Sequence, residues 1–128
     1  MTSENGGQRL WIGLGALAGL TAVAMAAFAA HGLPERVDAA SLQMVHSGIE
    51  MQGWHALALL FVGLWAARGG VAARLAGAAF ALGVVCFCGA VYALAIFTLR
   101  LPAVAPIGGS LLMLGWLLLG ISALRRPA

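Results

Sequence analysis

The chain has 128 residues, of which 62% are hydrophobic and 9% charged, and its formal net charge is +3. Soluble domains carry about 25% charged residues, so this composition excludes an ordinary soluble domain and favours a lipid environment. All seven basic residues are arginines that stand singly or in pairs at the ends of apolar runs. This distribution argues against a nucleic-acid interface.

The first long apolar run covers residues 10–30 and contains no charge. A helix of about 20 apolar residues crosses the ~30 Å hydrocarbon core of a bilayer, so we predict span one over residues 9–30. Gly15, Gly19 and Ala22 are small residues at a spacing of three or four. We expect them to be helix-packing residues, because small side chains let a second helix approach closely. A cleaved signal peptide is the alternative, but its core of roughly 7 to 15 residues is shorter than this run.

The only long polar stretch follows, and it leads into span two. Pro34 and the acidic residues after it predict a helix start. The partly apolar face of this stretch predicts a short amphipathic surface helix over residues 35–46. Residues 54–67 alone would form about 21 Å of helix, which is too short to cross the core. Span two is therefore predicted over residues 47–67.

Two further spans complete the predicted fold. The sequence Arg68-Gly69-Gly70 predicts a tight turn, and the uncharged run after Arg74 predicts span three over residues 74–99. Span four is predicted over residues 107–124. The fold class is therefore all-α: one membrane domain over residues 1–128, built as a four-helix bundle with the surface helix between spans one and two.

Three side chains inside spans three and four constrain the packing. Cys86 and Cys88 lie about 200° apart around a helix, so they cannot pair with each other, and no intramolecular disulfide is predicted. Both are expected to be small packing residues. Trp116 lies near the middle of span four, so its indole N–H is expected to find a partner inside the bundle.

The arginines predict the orientation in the membrane. Five of them flank the spans on one side, and two, Arg36 and Arg100, flank them on the other. Three of the four acidic residues lie on that second side. The positive-inside rule then places both termini in the cytoplasm.

With this topology, polar side chains from all four spans fall in the outer half of the membrane. The candidate polar cluster consists of His31, Glu50, His55, Tyr92 and Ser110, with His55 at its centre. Two interpretations stay open: a polar site for protons, a metal or a ligand, or a hydrogen-bonded cluster that fixes helix register. His46 and Glu50 share a helix face but His55 lies off it, so no metal site is predicted. No catalytic residue and no cofactor are predicted either.

Four segments in order resemble a family of small membrane proteins. They are AAHGL at residues 29–33, SGIEMQGWHALAL at 47–59, FCGAVY at 87–92, and APIGG at 105–109 followed by Gly115-Trp116. They are similar to segments of the YgdD-like inner-membrane proteins and transmembrane protein 256, a family catalogued as a domain of unknown function. Met51, Cys88 and Ala105 depart from the usual residues. The resemblance implies a four-helix inner-membrane protein without a known activity.

Three functions compete. The favoured one is a non-enzymatic structural or assembly component in the bacterial inner membrane, whose expected partners are the lipid bilayer and either a second copy or another membrane protein. The alternative is a small transporter or proton-linked carrier that uses Glu50 and His55. An enzyme acting at the outer leaflet is the third, but only His46, Glu50 and His55 offer it reactive groups.

Overall fold

The computed structural model describes residues 2–124, which form three helices joined by short connections. The helices are α1 (Thr2–His31), α2 (Ala39–Phe97) and α3 (Val104–Ala123). By length and composition, all three are apolar enough to cross a membrane. The all-α class is confirmed, but four separate helices are not observed. Three are present because the second and third predicted spans belong to one element, α2.

The long helix α2 folds back on itself at Gly70. A straight helix of 59 residues would extend about 88 Å, far more than the ~30 Å hydrocarbon core. Gly70 has φ 64° and ψ −146°, a backbone conformation that glycine adopts without steric cost. The Sγ of Cys88 lies 3.4 Å from the carbonyl oxygen of Gly48, so residues 39–69 lie beside residues 71–97. We call these two parts the first and second segments of α2.

The connection between α1 and α2 is a set of turns, not a surface helix. Residues 32–38 form turns and bends, and α2 begins at Ala39. Asp38 caps it by accepting a 2.7 Å hydrogen bond from the backbone N–H of Ser41, which holds the pKa of this carboxyl below its usual value. The separate surface helix predicted over residues 35–46 is therefore wrong. Residues 39–46 are the first turns of α2, because the cap starts a helix there and nothing after it interrupts the hydrogen-bond ladder.

The same connection is anchored in a small apolar cluster. The side chain of Leu33 is fully buried and packs with Ala29, Val45 and Ala95. Three helical stretches therefore meet around one leucine: the end of α1, the start of α2 and the end of its second segment. This contact fixes where the chain re-enters the bundle.

The helix α2 is the centre of the molecule. Among the described residues, α1 and α3 each contact α2 and do not contact each other. The larger core cluster includes Leu59, Val62, Phe80 and Leu112, which come from both segments of α2 and from α3. Each outer helix therefore has its own face on α2. We call these the α1 face and the α3 face.

The three packing residues predicted in α1 differ in how tightly they are held. A Cβ atom added to Gly15 would lie 2.9 Å from the carbonyl oxygen of Ala56, closer than real Cβ atoms come. At Gly19 the nearest atom would be the Ala56 Cβ at 3.9 Å, an ordinary contact. Ala22 is buried, with 6% of its surface exposed. Of these three residues, Gly15 therefore lies closest to the backbone of α2.

Candidate polar sites within the helices

His55 lies on the α3 face and has partners for both ring nitrogens. Its Nδ1 is 2.6 Å from the carbonyl oxygen of Met51, one turn earlier in the helix. Its Nε2 is 3.0 Å from the indole Nε1 of Trp116 in α3. An indole N–H only donates and a carbonyl only accepts, so the pattern assigns the neutral tautomer with its hydrogen on Nδ1. In this state the imidazole has no nitrogen left for another ligand.

Aromatic rings enclose this histidine. The ring centroids of Phe80 and Trp116 lie 5.6 and 5.8 Å from that of His55, and those two rings are 5.1 Å apart. Only 2% of the His55 surface is exposed. Trp116 itself is exposed over about half of its surface, so one edge of the indole closes the site while the rest faces outward. The partner expected for its N–H is His55.

A second polar network lies on the α1 face and is centred on Gln52. The amide Nε2 of Gln52 donates to the carbonyl oxygen of Ala18 at 2.9 Å and to the Oγ1 of Thr21 at 2.7 Å. The amide oxygen of Gln52 accepts a 2.8 Å hydrogen bond from the hydroxyl of Tyr92. Because Gln52 is only 6% exposed, this network ties α1 and both segments of α2 together from within.

The structure does not bring the five predicted cluster residues together. His55 and Tyr92 belong to the two separate networks just described. His31 and Glu50 are exposed. Ser110 is exposed as well, and its hydroxyl donates to the carbonyl oxygen of Pro106 in its own helix, at 2.8 Å.

Sequence reasoning left out Gln52 and Thr21, which hold the second network. Gln52 could have been found, because it is a long amide inside predicted span two, where a polar side chain needs a partner. Thr21 could not. Its hydroxyl also donates to the carbonyl oxygen of Leu17 at 2.9 Å. Threonines in membrane helices often form this bond, and the sequence pattern does not reveal it.

A groove runs along the α1 face beside Gln52. Its volume is about 470 Å³, and it lies between α1 and the second segment of α2. Apolar side chains form most of its lining, and Gln52, Thr21 and Tyr92 supply polar atoms. A groove of this size with a few convergent polar groups has the properties of a small-molecule site.

Other reactive side chains are dispersed. Within residues 2–124, no three His, Cys, Asp or Glu side chains are grouped closely enough to share a metal ion. Cys88 is buried and Cys86 is partly exposed, and both are free thiols. Their different surroundings agree with the predicted separation around the helix.

Comparisons with known proteins identify the family. A model described as "Protein of unknown function (DUF423)" matches residues 25–109. The chain is 37% identical over 119 residues to a UPF0382 membrane protein of Haemophilus influenzae, covering 92% of this chain and 96% of that one. It is 36% identical over 112 residues to the UPF0382 inner membrane protein YgdD of Escherichia coli, covering 86% of each.

A third relative is the UPF0382 membrane protein YwdK of Bacillus subtilis, 32% identical over 120 residues, with 91% of this chain and 98% of that one covered. No solved structure matches the chain. The resemblance to YgdD-like proteins is therefore confirmed, and the chain belongs to the DUF423 family of membrane proteins of unknown function.

Proposed function

We propose that this protein is a non-enzymatic structural or assembly component of the bacterial inner membrane. In this proposal it crosses the membrane four times, with both termini in the cytoplasm, and acts through its packed helices. Its partners are the lipid bilayer and either a second copy of the chain or another membrane protein.

The observation that carries the proposal is the bonding of His55. A histidine that transfers protons or binds a ligand needs a ring nitrogen that is free to bond to the proton donor, proton acceptor or ligand. Here Nδ1 is engaged by the Met51 carbonyl and Nε2 by the Trp116 indole. Such a histidine joins two helices, which is the role of a polar side chain that fixes helix packing in lipid.

The four crossings are supported by the shape of α2. Its segments of residues 39–69 and 71–97 are each long enough for one crossing, and they lie side by side. Arg68 and Arg74 flank the bend and are exposed. Basic residues accumulate in cytoplasmic loops, which supports a cytoplasmic position for the bend in this proposal.

Reporter fusions test this topology. A reporter that is active only outside the cytoplasm should give no signal when fused after Ala128 and a strong signal when inserted near Ala40. A matched reporter that is active only inside should give the reverse. The opposite pattern in both series would overturn the orientation, and a signal on both reporters at one site would overturn the four crossings.

Substitution of His55 tests the structural role. In membranes of a strain that carries only the variant, His55→Ala should lower the resistance of the protein to unfolding, and any phenotype should follow its abundance. His55→Gln, which keeps a polar side chain, should restore part of the stability. A variant that stays fully abundant and stable yet loses the phenotype would contradict a purely structural histidine.

The carrier alternative makes a different prediction for Glu50. This carboxyl is exposed, and a proton-linked carrier would load it from one side of the membrane. Purified protein is reconstituted in vesicles that contain a pH-sensitive dye, and a pH gradient is applied. We expect the same leak as in protein-free vesicles. A faster flux that Glu50→Gln and His55→Gln both abolish would replace the structural proposal with the carrier.

A further inference from the structure

The groove on the α1 face has walls of hydrocarbon. The wall from α1 includes Leu14, Leu17 and Met25, and the wall from the second segment of α2 includes Ala81, Val84 and Val85. The two helices meet at both ends of the groove: Trp11 packs against Gly77 at one end, and Ala29 and Ala95 share the cluster around Leu33 at the other. The space of about 470 Å³ is therefore a cleft between these two contacts, and it lies within the membrane-spanning part of the chain.

The polar atoms of the cleft are all acceptors with respect to a ligand. Both N–H groups of Gln52 are engaged by Ala18 and Thr21. The hydroxyl hydrogen of Thr21 is directed to the carbonyl oxygens of Leu17 and Ala18, and that of Tyr92 to Gln52. The remaining polar capacity is lone pairs, on the hydroxyl oxygens of Tyr92 and Thr21 and on the Gln52 amide oxygen.

We propose that this cleft binds an apolar chain that ends in a hydroxyl group. The hydrocarbon part of such a molecule fills the aliphatic walls, and its O–H donates to the lone pairs of Tyr92 and Gln52. A ligand whose polar group only accepts, such as an ether, an ester carbonyl or a carboxylate, finds no donor there. A site built to bond a hydroxyl discriminates against the analogue without one, because its acceptors are then left unpaired.

Two glycines provide a matched pair of variants. Gly89 lines the cleft, and a Cβ atom added to it meets no atom within 4 Å. The Cβ atom of Gly89→Leu therefore collides with nothing, and we expect the leucine side chain to occupy part of the cleft. Gly53 has equally open space and lies outside the cleft lining, so Gly53→Leu is the control. If Gly89→Leu fails to fold, Val85→Trp takes its place, because Val85 lines the cleft and is 70% exposed.

The test uses dodecanol with a photoreactive diazirine in mid-chain, added to the full protein in phosphatidylcholine nanodiscs. Trypsin then separates residues 10–36 and 75–100, which carry the two walls, from the peptide that contains α3. The ratio of labelling in the two wall peptides to labelling in the α3 peptide measures occupancy of the cleft. The α3 peptide serves as the reference for probe that reacts from the surrounding lipid. We expect this ratio to fall about fivefold in Gly89→Leu and to stay unchanged in Gly53→Leu.

Competition tests the hydroxyl. Unlabelled dodecanol should displace the probe from the cleft about fivefold better than 1-methoxydodecane, a difference of the size that one hydrogen bond gives. Equal labelling of the wall peptides in Gly89→Leu and the unsubstituted protein would overturn the binding site. Equal competition by the ether and the alcohol would overturn the selection for a hydroxyl.

Discussion

The two faces of α2 differ in how closely they hold their partner helix. On the α3 face, a Cβ atom added to Gly108 would collide with the backbone of Phe87, and one added to Gly83 would lie 3.0 Å from the Gly108 carbonyl oxygen. The α1 face has a comparable backbone approach at Gly15, but a cleft lies between α1 and the second segment of α2. The α3 face is therefore closed by backbone contacts, whereas the α1 face has separate contacts with a cleft between them.

The indole N–H groups follow the same division. On the α3 face, the indole N–H of Trp116 donates to His55, and that of Trp65 donates to the Ser122 hydroxyl at 3.0 Å. On the α1 face, the buried Nε1 of Trp11 has no partner among the described residues. A buried donor without a partner destabilises the folded state. We infer that the α3 face contributes more to stability, and that the α1 face is the one with room for a ligand.

The largest expected effect is at the tightest point of the α3 face. Gly108→Leu forces a side chain against the Phe87 backbone, which cannot move aside. We expect a loss of about 3 kcal/mol, at the upper end of overpacking costs. Gly120→Leu in the same helix is the control, because a Cβ atom there meets nothing within 4 Å. Unfolding in a titration with a denaturing detergent measures both. Equal stability of the two variants would mean that α3 does not pack this closely.

A smaller effect separates two glycines of the α1 face. Gly15→Ala places its Cβ 2.9 Å from the Ala56 carbonyl oxygen, and we expect a net loss of about 1 kcal/mol. Gly19→Ala places its Cβ in ordinary contact at 3.9 Å, and it gains up to about 1 kcal/mol from helix propensity. The same titration should therefore move the two midpoints in opposite directions. A loss at Gly19 as large as that at Gly15 would show that α1 lies against α2 along its whole length.

The sequence predicts well which segments are long and apolar enough to cross a membrane, and it predicts the polar contacts between helices poorly. Apolar runs locate the helices because each needs about 20 residues to cross the core, and Gly70 marks the bend through its backbone freedom. The rotation of each helix about its axis cannot be predicted from a sequence that is apolar on all sides of the helix. The predicted topology places His55 and Tyr92 at similar depths in the membrane. They nevertheless form hydrogen bonds with different partners on different faces of α2.

The surface helix was predicted wrongly, and the spacing of the small residues in α1 does not show which of them packs most closely, for related reasons. Residues 39–46 have an amphipathic pattern that a surface helix and the exposed end of a long helix share, and only the Asp38 cap with the uninterrupted ladder distinguishes them. Gly15 and Gly19 look equivalent by spacing. Their difference arises from where Ala56 lies in the partner segment, which is tertiary information.

The smallest effects compare one hydrogen bond on each face. Trp116→Phe removes the N–H that His55 accepts, and Tyr92→Phe removes the hydroxyl that Gln52 accepts. Interhelical hydrogen bonds in lipid average about 0.6 kcal/mol, which sets the scale for both losses. We expect the larger loss at Trp116, because the enclosed His55 nitrogen has no other donor near it, whereas Gln52 lines the cleft, where another donor can reach it.

Double-mutant cycles separate these bonds from the rest of each side chain. The cycles combine Trp116→Phe with His55→Ala on the α3 face and Tyr92→Phe with Gln52→Ala on the α1 face. The coupling energy on the α1 face should shrink further when dodecanol is added, because the alcohol supplies the missing donor to Gln52, and that on the α3 face should not change. If the two coupling energies are equal, the two faces do not differ in the way their packing indicates. If neither coupling energy changes when dodecanol is added, the cleft does not exchange hydrogen bonds with a ligand.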